Sequence, residues 1–211
     1  MKKIENIHII LTIVLLMTIT IFIGYKNMKG IVINRVNLNQ NEEIKLRATG
    51  NNLAIYEINN FKKGDYGIDI ILEEYENGKF KKSESILETC ISDVNNNSNF
   101  KLAINKNNKD EIIIDVSNKD SKSSVSATTP NINLQEYNKS NNGFSWNMLE
   151  TNNKEQKLTE NRKFAIASFS IDKDSKLDFI DLGNKFTKIS GNNLVDLIFY
   201  LKIKKYKKMH F

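Results

Sequence analysis

"KKGDYGIDIILEEYENGKFKKSESI", Lys62–Ile86, carries the sharpest local signal in the chain. Asn77-Gly78 suits a two-residue type I′ turn, which needs positive φ at both central positions. Counting outward, Glu76 faces Lys79, Tyr75 faces Phe80, Glu74 faces Lys81 and Glu73 faces Lys82. Opposite charges and paired aromatics across a ladder each contribute about 0.2–1 kcal/mol, so the stretch reads as a β-hairpin. Successive strand residues point to opposite faces, so Glu73 and Glu74 do not converge on one substrate. They are read as scaffold. Tyr66, Ile68, Ile70 and Leu72 form the core face, and Ile71 predicts partial cover on the other.

The same texture extends both ways. Upstream, 31–36, 42–48 and 52–58 are short, β-branched and mixed in polarity; downstream, 88–94, 100–104 and 111–116 follow, the last two flanking a polar turn. Segments 144–149, 163–171, 176–182 and 193–206 resume the pattern. In the last, Val195, Leu197, Phe199, Leu201 and Ile203 share one face, so this strand needs a sheet partner from earlier in the chain. Helical periodicity is weak, with its best candidate at Glu155–Arg162. Residues 117–130, rich in Ser and Thr and closed by the only proline, Pro130, read as a linker between two smaller β units or as a long loop inside one.

The N-terminus differs. Lys2 and Lys3 precede an apolar run from Ile7 to Tyr25 with no helical stripe. At about 1.5 Å per residue its length matches a hydrocarbon core of about 30 Å. The sequence after Ile23 lacks the small residues of a cleavage site, which favours a retained single-pass anchor over a cleaved signal. The flanking lysines lean towards a cytoplasmic N-terminus and a body outside the cytoplasm.

The net charge of +6 belongs to the ends. Residues 1–29 carry four lysines and one glutamate, and 202–211 carry five lysines; the body between has 22 basic and 24 acidic residues. A nucleic-acid domain would carry its basic stripe on the folded body, so nucleic acid is not the expected partner. The terminal lysines, Lys202, Lys204, Lys205, Lys207 and Lys208, are the candidate contacts for a polyanion, either anionic lipid or a wall polymer such as teichoic acid.

Catalytic motifs are sparse. His8 and His210 lie at opposite ends, far from Cys90, which leaves no Ser-His-Asp or Cys-His arrangement and no zinc spacing. Cys90 reads as a small buried strand residue. Asp172, Asp174 and Asp178 faintly resemble a calcium loop, but Lys176, Leu177 and Gly183 stand where further ligands and the glycine belong. No phosphate-binding glycine loop occurs. Trp146, in "NNGFSWN", is the one candidate for stacking on a ligand such as a sugar, although its period-two spacing with Phe144 and Met148 also suits a core position.

The expected protein therefore has a cytoplasmic stub and transmembrane anchor over 1–29, an all-β ectodomain over 30–201 and a basic tail over 202–211. The ectodomain is read as a β-sandwich of immunoglobulin-like character. In general style it resembles surface proteins of AT-rich Gram-positive bacteria, whose codons favour Asn, Lys and Ile. The expected role is a non-enzymatic binding or structural module at the cell surface, held in the bilayer by residues 7–25, with no cofactor. The alternatives are a carboxylate-dependent hydrolase and polyanion binding through the tail.

Overall fold

Asn77 (φ 49°) and Gly78 (φ 73°) both adopt left-handed backbone, as a type I′ turn demands. The computed structural model describes residues 30–119, 124–137, 143–151, 155–172, 182, 189 and 193–206. Among these, the strands in chain order are β1 Val32–Arg35, β2 Asn52–Asn59, β3 Gly64–Glu76, β4 Lys79–Val94, β5 Phe100–Lys106 and β6 Glu111–Lys119. They continue as β7 Ser124–Thr128, β8 Ile132–Asn133, β9 Phe144–Met148, β10 Gln156–Lys157, β11 Lys163–Asp172 and β12 Asn193–Tyr206. Among the described residues one α-helix, α1, spans Gln40–Ala48.

Two antiparallel sheets result. One runs β4-β3-β12-β11-β9; the other runs β10-β1-β2-β5-β6-β7, with β8 added to β6. The fold is all-β, and Ile31–Phe211 is one compact unit. The Ser/Thr-rich stretch 117–130 contains the end of β6 and all of β7, paired with each other from Asp115↔Thr128 to Lys119↔Ser124.

The β3–β4 hairpin follows the expected register for two pairs, Glu76↔Lys79 and Tyr75↔Phe80. A bulge then shifts β4 by one residue, so Glu74 faces Lys82 and Glu73 faces Ser83. The ion pairs follow the shift: Lys82 pairs with Glu74 at 3.5 Å, and Lys81 reaches Glu76 at 2.9 Å. β4 is an edge strand, and its bulges together with Lys79, Lys81 and Lys82 make its open side a poor template for another strand.

The inner faces of both sheets share one core. β3 contributes Tyr66, Ile68, Ile70 and Leu72; β12 contributes Leu197, Phe199, Leu201 and Ile203; the facing sheet contributes Tyr56, Phe100, Leu102 and Ile114. Phe61, in the crossover between the sheets, packs edge-on against Tyr66 (5.0 Å) and Phe100 (4.9 Å), one from each layer. Burying such a side chain contributes about 1.5–3 kcal/mol. The cover expected over Ile71 is present: Ile71, Ala165, Ile198 and Tyr200 form a second apolar cluster, with Leu182 and Ile189 packed on it.

Three readings are corrected. Residues 42–48 are helical, not a strand. Asn39 is the N-cap: its Oδ1 accepts from the Glu42 N–H (3.0 Å), and the Glu42 carboxylate accepts from the Asn39 N–H (3.0 Å), a reciprocal capping box. At the other end Gly50 (φ 73°) lets the Asn51 N–H reach the Leu46 carbonyl (3.0 Å), closing the helix with a Schellman turn. These caps, rather than an apolar face, define α1, whose residues are exposed along most of its length. Glu155–Arg162 is not helical; it holds β10 and a turn. Cys90 is exposed, because it sits on the outer face of edge strand β4, with its Sγ 3.8 Å from the Tyr206 hydroxyl.

Among the described residues no helix is long and apolar enough to cross a membrane. The apolar run 7–25 lies outside them, as do Asp174, Asp178, Lys207, Lys208, His8 and His210.

Candidate functional site

A recess of about 180 Å³ opens at one end of the domain, where α1 stands over β2 and the edge strand β9. Leu38, Leu46, Leu53, Trp146 and Met148 give it an apolar lining, and Arg35, Glu43, Asn51, Asn52 and Glu150 give it a polar one. The strand period sets this arrangement, since Trp146 and Met148 are two apart on β9 and share its inner face. Trp146 packs edge-on against the core residue Phe199 (5.9 Å), which fixes the indole in the recess wall. Its Nε1 is buried and has no hydrogen-bond acceptor. A buried donor in that state costs about 1–3 kcal/mol.

The polar side is preset. The Arg35 guanidinium donates to the Glu150 carboxylate, whose side chain is mostly exposed. The Arg35 backbone N–H donates to Thr151 Oγ1 (3.2 Å), and the buried Tyr56 hydroxyl donates to the Leu149 carbonyl (3.0 Å), tying β1 and β2 to the segment after β9. Burial raises the Tyr56 pKa, against the lowering effects of Arg35 and the Leu149 contact. On the far wall Asn51 Oδ1 accepts from the Asn108 N–H (3.2 Å), which orients the turn after α1.

A second polar constellation lies on the outer face of the other sheet. Glu73, 7% exposed, accepts from Lys163 and from the Tyr75 hydroxyl (2.7 Å). Lys163 also stands over the Tyr200 ring, 5.7 Å from its centroid. Burial works to raise the Glu73 pKa, but the hydrogen bonds and charge of Lys163 and the tyrosine contacts outweigh it, and the carboxyl is held below its usual value. Burial first, then the Glu73 carboxylate, pushes Tyr75 up to about 12 and raises Tyr200 as well. Asp196, fully buried and accepting from Asn193 Nδ2 (2.8 Å), pairs with Tyr75 across β12–β3. Glu73 pairs with Ile198, so the two carboxylates are diagonal neighbours on one face. Sequence alone could not place them together. Their burial beneath the second apolar cluster marks a structural network more than a substrate cleft.

The YgaN domain model matches residues 32–201, most of the chain. The chain belongs to the YgaN domain family. No curated protein and no solved structure matches it. The YgaN match runs from β1 into β12, so it includes every residue named above in the recess and the Glu73 network.

The remaining candidates fall at the margin of the YgaN span. Lys202, Lys204 and Lys205 belong to β12, so the expected tail is strand as far as Tyr206. Lys204 is paired with Asp69 (2.6 Å) and Glu88 (3.3 Å); its pKa is raised, first by the Asp69 contact. Lys205 stands over the Tyr66 ring at 5.4 Å. Among the described residues of the YgaN domain no three His, Cys, Asp or Glu side chains are grouped to hold a metal.

The recess residues missed by sequence reasoning were Arg35, Glu43, Asn51, Asn52 and Glu150. The asparagines that line the recess with Trp146 come from the turn after α1. The Asn39-x-x-Glu42 capping box and Gly50 were the available signals for that turn.

Proposed function

We propose that this YgaN domain is a non-catalytic binding module, a β-sandwich of immunoglobulin-like general character, held outside the cytoplasm by a membrane anchor over residues 7–25. Its ligand site is the Trp146 recess, and its ligand class is a sugar. The observation that carries this reading is the combination in one recess of the Trp146 side chain and polar groups of both kinds. Arg35 donates, Glu43 and Glu150 accept, and Asn51 and Asn52 do either. A sugar ring presents the matching set, with an apolar face for stacking and hydroxyls that both donate and accept. The volume suits a single ring. Two antiparallel sheets over one core support the sandwich, and the uncharged span Ile7–Tyr25 supports the anchor.

Trp146 is the only tryptophan in the chain, so intrinsic fluorescence reports on the recess directly. The full chain in neutral detergent micelles should shift its emission when titrated with short oligosaccharides, and Trp146→Phe should weaken binding measured by calorimetry. A flat response in both across neutral, amine-bearing and acidic oligosaccharides rejects the reading. Location is tested by protease shaving of intact cells. Loss of the domain from cells with a permeable wall is expected, and complete protection there rejects the extracytoplasmic placement.

A further inference from the structure

We infer that α1 is a hinged lid, the movable wall of the recess, and that its opening controls access whatever the class of ligand. The recess has walls of two kinds. On the sheet side Leu53 is laddered to Asn105 of β5, Met148 is laddered to Ala167 of β11, and Trp146 packs on Phe199. On the other side stand Leu38, Glu43 and Leu46, carried by α1 and the turn before it.

The α1 side is held differently. Gln40–Lys45 and Ala48 are exposed, and Leu46 is half-buried. Ile44, the other large aliphatic residue of the helix, is 56% exposed. A helix of fewer than about 12–15 residues is marginal in water on its own, and α1 has nine. The bonds that define it are internal: the Asn39–Glu42 capping box at one end, and at the other the Thr49 hydroxyl donating to the Leu46 carbonyl (2.8 Å). The helix can therefore swing as a body with these bonds intact. Two fixed points bracket the swing. The Val36 N–H donates to the Ile55 carbonyl (2.7 Å), and Asn51 Oδ1 accepts from the Asn108 N–H (3.2 Å), so the chain is pinned at both feet of the helix. Gly50, in left-handed backbone, is the joint at the C-terminal foot. Opening withdraws Leu46 from the recess while both sheets keep their ladders, which makes it a local event of low cost rather than global unfolding.

The test uses the full chain in neutral detergent micelles. Cys90→Ser removes the only native thiol, and Met148→Cys places one inside the recess. Alkylation of that thiol by iodoacetamide then reports how often the recess opens. Asn39→Ala, which weakens the cap of α1, should speed it about five-fold. Gly67→Ala, which strains β3 against Tyr206, destabilises the closed and the lifted states alike and should leave the rate unchanged. In the parent chain, amides of Gln40–Ala48 should exchange well before those of β3 and β12. An alkylation rate indifferent to Asn39→Ala means that α1 does not cover the recess. A rate raised equally by Gly67→Ala means that the recess is reached only through global unfolding. Either result overturns the lid, as does equal amide protection in α1 and β3, whereas a flat oligosaccharide titration overturns the sugar reading and leaves the lid standing.

Discussion

Glu73 and Glu74 are consecutive on β3 and serve opposite sides of the sheet: Glu73 meets Lys163 and Tyr75 on the outer face, and Glu74 meets Lys82 on the inner one. The first is buried within a network, whereas the second belongs to a pair near the hairpin end. Replacing them should therefore give unequal results. Glu73→Gln is expected to cost about 1–3 kcal/mol, as for a broken buried hydrogen-bonded charge, and Glu74→Gln less than about 1 kcal/mol. Denaturant titration of both variants checks the difference.

The pH dependence of stability should change with Glu73. Its folded pKa is below the ordinary 4.5, so its contribution is present above that value and is lost as pH falls through the folded one. Glu73→Gln should remove this acid limb. On the alkaline side Tyr75 is raised from 10.0 to about 12, so its contribution is present below 10.0 and lost as pH rises towards 12. Tyr75→Phe should flatten that limb in melting curves taken across the range.

Gly78 occupies left-handed backbone at the hairpin turn. Gly78→Val places a β-branched side chain there and should destabilise the domain by at least about 1–2 kcal/mol. Chemical denaturation measures it; a variant as stable as the parent would mean that the turn is not what sets the register.

Gly67 lies under the ring of Tyr206, and a Cβ at that position would stand 2.5 Å from the tyrosine hydroxyl. Gly67→Ala should displace the ring at a cost of about 1–2 kcal/mol. Tyr206→Ala in the same chain should absorb most of that cost. A double-mutant cycle decides the matter, since additive effects would show that the ring and the glycine are independent.

Asn39→Ala should remove the cap of α1 at a cost of about 1 kcal/mol. The exposed helix should lose amide-exchange protection over Gln40–Ala48 while the sheets keep theirs, because little of α1 is packed on the core.

The hairpin was legible because its turn chemistry and alternation are local. Its register was legible only as far as the first bulge, since a bulge depends on how β4 curves at the sheet edge and leaves no mark in residue order. The partner of Val195–Ile203 was foreseen in kind, and β3 proved to be that partner on one side. The helix was missed because "EEIKLRA" has the mixed polarity of a strand and buries no stripe, so only its caps announce it. The recess was beyond reach: Arg35 and Glu150 meet across 115 positions of sequence, and no periodicity encodes that.

The position of β12 bears on how the domain comes to exist at all. It lies between β3 and β11 in the middle of its sheet, yet it follows every other described strand in chain order. A nascent chain that has not yet delivered Asn193–Tyr206 therefore holds β3 with one ladder edge vacant and Phe199 absent from beneath Trp146. Closing so long-range a pairing late makes assembly slow and all-or-none, and keeps the unfinished chain pliable until β12 is made.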